Sequence, residues 1–184
     1  MRHLARQTAM RSVTLTLAAF VAVALMVRPA SADVLKVGDR LAELDVAVDA
    51  AGKAFKLKSL KGKWVLITVG AEWCDACKKE LPTWDKLAPD FAGKVTFVAL
   101  NLNDKVEDGK HFNAKLKLKN MTLVYMPEDK SAVSASYGSD TMPTTFIADP
   151  QGVIRLVRDG FEKEDADGEL KKMKAALTKL TAEK

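Results

Sequence analysis

The sequence WVLITVGAEWCDACKKELP, residues 64–82, decides the fold because it joins an apolar strand to a Cys-x-x-Cys pair. Residues 64–69 are apolar apart from Thr68, which is typical of a strand buried inside a sheet. Cys74 and Cys77 follow directly and are the two cysteines of the whole chain. We expect them to open a helix, since the unpaired N–H groups and partial positive charge of a helix N-terminus favour thiolate on the first cysteine.

The spacing of the two cysteines favours a redox pair over a structural disulfide. One helical turn separates Cys74 from Cys77, which is close enough for a disulfide bond. A structural bridge usually ties distant segments, because its stabilisation grows with loop length, and this loop is nearly the shortest possible. The spacing alone leaves open one other alternative, in which the two cysteines supply half of the ligands of a metal site.

Residues 1–32 predict a secretory signal peptide. Three arginines precede a stretch of apolar residues and threonines at 13–27, and the sequence Ala-Ser-Ala at 30–32 offers a small-x-small cleavage site. An uncleaved membrane anchor is the alternative, although the apolar run is shorter than the ~20 residues that a spanning helix needs. We therefore expect an exported or periplasmic protein that contacts the membrane only if this segment is retained.

Most of the excess positive charge of the chain lies in this leader. The whole chain has 29 Lys and Arg against 24 Asp and Glu, a net charge of +5. Residues 1–32 hold four arginines and no acidic residue, so residues 33–184 carry 25 basic against 24 acidic residues, a net charge of +1. A nearly neutral domain has no excess of positive charge to attract nucleic acid, so we expect no nucleic-acid partner. Its length suits one domain whose core needs no structural disulfide.

Strands and helices alternate along residues 33–184 after a small hairpin. This order predicts a three-layer α/β/α sandwich with a mixed central sheet and an N-terminal β-hairpin. The predicted elements are a hairpin at 44–48 and 54–57, strands at 64–69, 95–100, 121–125, 144–148 and 153–158, and helices at 74–91, 106–116, 131–137 and 165–182.

Two blocks of sequence resemble the TlpA/ResA-like family of exported thiol-disulfide oxidoreductases, which have the thioredoxin fold. The first block is AEWCDACKKELP at residues 71–82, and the second is TMPTTFIADPQG at residues 141–152. The resemblance covers essentially the predicted mature domain. It implies a thioredoxin-like fold, a redox-active disulfide between Cys74 and Cys77, and no cofactor or bound metal. The family's extra βα segment fits at about residues 100–125.

The resemblance also implies which residues support the cysteine pair. Met142-Pro143 is expected to be a cis peptide facing the pair, where the backbone before the proline can hydrogen-bond to an extended substrate segment. Trp73 is expected to shield the disulfide beside the substrate groove. Glu80 matches an acidic active-site residue of ResA-like proteins, and its helical spacing from Cys77 lets the carboxylate approach the pair. A solvated charge in a Lys-Lys-Glu run is the alternative for Glu80.

Three residues depart from the family pattern. Ala76 replaces the usual proline before the second cysteine, so the reduction potential cannot be transferred from relatives. Asp75 suits a helix N-terminus, but its carboxylate should raise the pKa of the neighbouring Cys74 thiol. Thr68 stands where thioredoxins carry a buried aspartate, and a hydroxyl cannot carry protons as a carboxylate would.

These features predict a protein-disulfide oxidoreductase in which Cys74 is the nucleophile and Cys77 the resolving thiol. The resemblance implies that it reduces disulfides in exported client proteins, with apocytochrome c among the candidates. It further implies re-reduction by a membrane electron donor.

Two other functions fit the sequence less well. A copper-binding, metal-delivery protein of the same fold would have a longer cysteine spacing and a dedicated histidine, whereas only His111 lies outside the leader. A peroxidase would have proline and threonine upstream of the reactive cysteine, at the places that Ile67 and Ala71 occupy.

Overall fold

The computed structural model describes residues 34–44, 46–126, 136–138 and 142–182. The predicted leader at residues 1–32 and most of the predicted helix at 131–137 lie outside the described residues. Within the described ranges, no helix combines the length and the apolar character needed to cross a bilayer.

The described residues form six strands and three α-helices. They are β1 (Val48–Asp49), β2 (Trp64–Gly70), α1 (Cys77–Leu87), β3 (Val95–Asn101), α2 (Val106–Leu116), β4 (Thr122–Tyr125), β5 (Thr144–Ala148), β6 (Ile154–Asp159) and α3 (Ala166–Ala182). Short 3₁₀ helices span Leu57–Leu60, Ala88–Phe91 and Lys163–Asp165. Apart from the second arm of the hairpin, each predicted strand and helix of the described ranges has a counterpart in the structure, and α2 with β4 supplies the expected extra βα segment.

The six strands form one mixed sheet in the order β1-β4-β3-β2-β5-β6. β2 is parallel to β3, from Trp64 opposite Val95 to Gly70 opposite Asn101, and β3 is parallel to β4. The pairs β2–β5, β5–β6 and β1–β4 are antiparallel. β2 is therefore a central strand, and the cysteine motif follows its buried carboxyl end.

Alternate residues of β2 project their side chains to opposite faces of the sheet. Leu66 packs in a core cluster that includes Trp84 of α1, Phe112 of α2 and Met173 of α3, so the three helices share this face. Ile67, its neighbour on the strand, belongs to the cluster on the opposite face. That second cluster contains Leu44, Phe55, Leu57 and Tyr137. The predicted thioredoxin-like α/β architecture is confirmed.

The helix after β2 starts later and ends earlier than its sequence pattern predicts. α1 begins at Cys77 rather than Cys74, since the first hydrogen bonds run from Lys78 N to Asp75 O (3.2 Å) and from Glu80 N to Ala76 O (2.9 Å). After Leu87 the chain continues as a 3₁₀ helix, because Pro89 has no N–H to extend the α-helical ladder.

The predicted N-terminal hairpin is present in a shortened form. Two antiparallel backbone bonds close it, from Phe55 N to Ala47 O and from Asp49 N to Lys53 O, each 2.8 Å. Its second arm, predicted at residues 54–57, gives way to the 3₁₀ helix Leu57–Leu60. The first arm, β1, joins the sheet through β4.

Candidate active site

Cys74 and Cys77 form a disulfide at the start of α1, with their Cα atoms 5.3 Å apart. The backbone N–H of Cys77 donates to the Sγ of Cys74 over 3.1 Å. Cys74 is 7% exposed, whereas Cys77 is fully buried. The pair is therefore asymmetric: the first sulfur is the more accessible one and has a hydrogen-bond donor directed at it.

Gly70 lets the end of β2 approach the disulfide closely. A Cβ at Gly70 would stand 3.2 Å from Cδ1 of Leu81, 3.4 Å from Cβ of Cys77 and 3.5 Å from its Sγ. Since the distance to Leu81 is shorter than most real Cβ contacts, a glycine at this position allows the strand and the helix to pack closely. Cys77 is thereby held against the sheet.

The Met142–Pro143 peptide is cis, as predicted. β5 begins directly afterwards, and its first residue, Thr144, pairs with Val69 near the end of β2. Pro143 O accepts a hydrogen bond from Gly160 N at 2.8 Å. The cis peptide is therefore held at the same end of the strands as the cysteine motif, which follows the carboxyl end of β2.

The residues flanking Cys74 differ in their exposure. Trp73 is 64% exposed and offers a large aromatic surface next to the disulfide. Ala76 is half-buried against the core below α1. Trp73 is therefore available to an approaching molecule.

Asp75 does not present an isolated charge to Cys74. Its Oδ1 accepts a hydrogen bond from Lys78 Nζ at 2.8 Å, and both side chains are largely exposed. The hydrogen bond and the charge of Lys78 lower the pKa of the Asp75 carboxyl. The lysine offsets part of the repulsion that the carboxylate exerts on a Cys74 thiolate.

Glu80 is fully buried, which rules out the alternative of a solvated charge. Its Oε2 contacts Thr68 Oγ1 at 2.6 Å, and its Oε1 contacts Thr145 Oγ1 at 2.8 Å. Burial raises the pKa of Glu80 to about 7, against smaller opposing effects of the two hydroxyl groups. A carboxyl group with such a pKa can accept and release a proton near neutral pH.

Thr68 and Glu80 are in direct contact, so the expected departure at the threonine position does not leave the site without a buried acid. The helix supplies the carboxylate instead, and the Thr68 hydroxyl contacts it directly. Thr145 could not be predicted as a partner of Glu80 from the sequence, because only the antiparallel β2–β5 register places it opposite Thr68.

A second set of residues that the sequence analysis missed fixes the loop before Cys74. Asn103 Oδ1 accepts the backbone N–H of Glu72 at 3.0 Å, and Asn103 N donates to Asn101 Oδ1 at 2.9 Å. Leu102 N donates to Gly70 O at 3.0 Å. The segment after β3 therefore holds the segment after β2 in place.

Within the described ranges, no group of three or more His, Cys, Asp and Glu side chains is arranged to hold a metal ion. His111, the histidine that a copper site would need, is exposed on α2. The structure does not bring His111 together with the cysteine pair in any such group.

Comparison with known proteins agrees with this site. Residues 37–157 match the model of the AhpC/TSA family. The chain is 32% identical over 130 residues to the thiol-disulfide oxidoreductase ResA of Bacillus thuringiensis (strain Al Hakam), covering 70% of this chain and 73% of that protein. It is 33% identical over 110 residues to the thioredoxin-like protein YneN of Bacillus subtilis (strain 168), covering 60% of this chain. The match spans 64% of YneN, slightly less than two thirds of its length.

Solved structures of other proteins have the same fold as this chain. A putative thiol:disulfide interchange protein DsbE from Chlorobium tepidum superposes with a TM-score of 0.65 at 28% identity, covering 78% of this chain and 99% of that one. The chain belongs to the AhpC/TSA family and, with the ResA-like proteins among its relatives, is a thiol-disulfide oxidoreductase whose redox-active disulfide joins Cys74 and Cys77.

Proposed function

We propose that this oxidoreductase reduces disulfides in exported client proteins, with Cys74 as the nucleophile and Cys77 as the resolving thiol. The observation that carries the assignment is the asymmetry of the pair. Cys74 is the more accessible sulfur and accepts the Cys77 N–H, a contact that stabilises a thiolate, whereas Cys77 is fully buried. A buried thiol is poorly placed to attack a client but well placed to attack its neighbour.

The reaction proceeds in two displacements. The Cys74 thiolate attacks one sulfur of the client disulfide, a mixed disulfide forms, and the other client sulfur leaves as a thiolate. The Cys77 thiol then loses its proton, and its sulfur attacks Cys74 Sγ. The bond between Cys74 and the client breaks, and the client leaves as a second thiolate. The client gains two electrons, and the protein is left as the disulfide.

Glu80 is the proposed acceptor of the Cys77 proton. It lies one helical turn beyond Cys77 on α1, which puts the two side chains on the same face of the helix. Burial holds its pKa near 7, so the carboxylate can take up a proton at neutral pH. The carboxyl group replaces the proton carrier that Thr68 cannot supply.

Trp73, Met142 and Pro143 are the proposed client-binding residues. The exposed Trp73 ring supplies an apolar contact beside the disulfide. The backbone before the cis proline lies at the open end of the β2–β5 pair, where an extended segment can add main-chain hydrogen bonds. The client is therefore expected to bind as an extended peptide around its own cysteine.

The proposed setting is the periplasm or another exported location. Residues 1–32 have the pattern of a secretory leader, either cleaved or retained as an anchor. Because each client turnover leaves the Cys74–Cys77 disulfide, the cycle requires a reductant, which we propose to be a membrane electron donor.

Trapping tests the roles of the two cysteines. A Cys77→Ser variant should accumulate mixed disulfides through Cys74, and mass spectrometry of the adducts would identify the client. The matched Cys74→Ser variant should trap almost nothing. Equal trapping by both variants would contradict the assignment. A reduction potential near the strongly oxidising value of about −120 mV would overturn the reductive direction.

A further inference from the structure

Thr68, Thr145 and Glu80 form a closed triangle of short oxygen contacts. Thr68 Oγ1 lies 2.6 Å from Glu80 Oε2, Thr145 Oγ1 lies 2.8 Å from Glu80 Oε1, and the two hydroxyl oxygens lie 2.8 Å apart. All three side chains are fully buried. Every contact has a length typical of an O–H···O hydrogen bond.

Counting protons determines the charge of Glu80 in this arrangement. Three hydrogen bonds need three protons, and each threonine hydroxyl supplies one. If Glu80 is ionised, both hydroxyl groups donate to it, and the Thr68–Thr145 contact is left with two oxygens and no proton between them. If Glu80 is neutral, its own proton completes the ring, and each of the three contacts contains one hydrogen bond.

We infer that Thr68 and Thr145 are positioning residues that hold Glu80 as a neutral acid, in a closed ring of three hydrogen bonds, while the Cys74–Cys77 disulfide is formed. This inference deepens the proposed function and rests on it for the source of the proton. The ring retains the proton that Cys77 gives up when its sulfur attacks Cys74. The proton returns to Cys77 when the disulfide is reduced again and the Cys77 sulfur leaves as a thiolate.

The register of the sheet explains how the ring is built. Thr68 of β2 pairs with Thr145 of β5, and Thr145 pairs in turn with Arg158 of β6. Directly paired residues project from the same face of a sheet, so the three side chains form a row beneath the helices. Glu80 of α1 meets the two hydroxyl groups of this row.

Burial, rather than the charges around the ring, favours a neutral acid. The Arg158 guanidinium is the nearby cation and by itself would lower the pKa of Glu80, as would the Trp84 indole of α1. Arg158 forms an ion pair with the buried Glu169 of α3, which compensates that charge, and Lys172 also contacts Glu169 at 3.0 Å. Burial outweighs these effects and raises the pKa of Glu80 to about 7.

The test uses the oxidised protein without any client. Protein labelled with ¹³C at the glutamate carboxyl carbons is studied by NMR at about pH 6, one unit below the pKa of Glu80, and the Glu80 signal is assigned by its loss in Glu80→Gln. The ring requires the chemical shift of a neutral acid. It also requires hydroxyl protons of Thr68 and Thr145 that exchange slowly with water. An ionised Glu80 under these conditions overturns the inference.

Paired variants separate the ring from simple packing. Thr145→Val keeps the shape but removes a hydroxyl, and it should speed exchange of the Thr68 hydroxyl proton and slow resolution of the mixed disulfide, each by roughly tenfold. Thr145→Ser restores the hydroxyl and should return both values to within about twofold of the wild type. Thr68→Val tests the ring from its other hydroxyl. Unchanged exchange and resolution in both valine variants would overturn the inference.

The ring and the proposed function can fail separately. The NMR signals are read on a stable disulfide, so they report on the ring even if Cys77→Ser traps no client. An ionised Glu80 in a protein that reduces client disulfides normally would remove the ring and leave the proposed function intact.

Discussion

Gly70 on β2 lies close to Cys77 on α1: a Cβ on the glycine would stand 3.4 Å from Cβ of the cysteine, an ordinary van der Waals distance. This packing places the sulfur of Cys77, the proposed resolving thiol, against the central strand of the sheet. It also fixes the helix that carries Glu80, whose carboxyl group lies over Thr68, two residues back along β2. The position of the redox pair and that of its proposed proton acceptor therefore depend on the same packing of strand and helix.

Gly70→Ala should destabilise the oxidised protein by about 1 kcal/mol, because the added methyl group stands 3.2 Å from Cδ1 of the buried Leu81, which must move by a few tenths of an ångström. Urea unfolding of the oxidised form measures the loss. Leu81→Val removes part of the obstruction, so the double variant should be more stable than the sum of the two single effects predicts. Strict additivity of the two substitutions would contradict this explanation.

Glu80 should make the stability of the oxidised protein fall as the pH rises. Burial raises its pKa from 4.5 to about 7 in the folded state. The folded protein therefore binds this proton more tightly than the unfolded chain does, so the stabilisation is fully present below about pH 4.5 and is lost as the pH rises through about 7. A pKa difference of this size corresponds to about 3 kcal/mol.

Glu80→Gln is the variant that measures this effect, since glutamine resembles the neutral acid at every pH. The free energy of unfolding of the wild type relative to Glu80→Gln should fall by about 3 kcal/mol between about pH 4.5 and 8. The exposed Glu164→Gln controls for the loss of a charge elsewhere on the surface. A difference between wild type and Glu80→Gln that does not vary with pH would show that burial leaves the pKa of Glu80 unchanged.

The sequence predicted the limits of several elements closely. The limits of α2 at Val106–Leu116 and of β5 at Thr144–Ala148 match the predicted ranges, and the motif was placed at the end of the central strand β2. Apolar spacing determines such elements because each buries one face or lies wholly inside the core. The second hairpin arm was too short for this signal to separate a strand from a loop: Phe55 is buried in a loop segment, and Leu57 starts a 3₁₀ helix.

The hydrogen-bond partners of Glu80 could not be predicted in the same way. Thr68 and Thr145 are 77 residues apart, and only the antiparallel register of β2 with β5 brings their hydroxyl groups together. Threonine is common in strands for its β-branched shape, so neither residue stands out in the sequence. Long-range polar contacts of this kind depend on the assembled sheet.

Asp75 and Lys78 should shift the pKa of the Cys74 thiol in opposite directions. Asp75→Asn removes a negative charge beside the thiolate and should lower that pKa, whereas Lys78→Gln removes the compensating cation and should raise it. Because both side chains are exposed, we expect shifts below about one pH unit that shrink in high salt. The pH dependence of Cys74 alkylation in the reduced Cys77→Ser background measures them.

Lys79→Gln is the matched control for this pair. It removes the same charge from the next position of α1, which is also exposed, and should change the pKa of Cys74 less than Lys78→Gln does. Equal effects of the two lysine variants would show that only net charge matters and that the 2.8 Å contact with Asp75 has no specific role.

Asn103→Ala should loosen the active-site loop while leaving the cysteines in place. The substitution removes the acceptor of the Glu72 N–H and should destabilise the protein by about 1–2 kcal/mol. Client reduction should slow more than alkylation of Cys74, because the loop also carries the exposed Trp73 that we expect to contact the client. Asn103→Asp keeps an oxygen acceptor and should recover part of the client reduction rate. Equal losses in alkylation and client reduction would instead indicate general unfolding of the site.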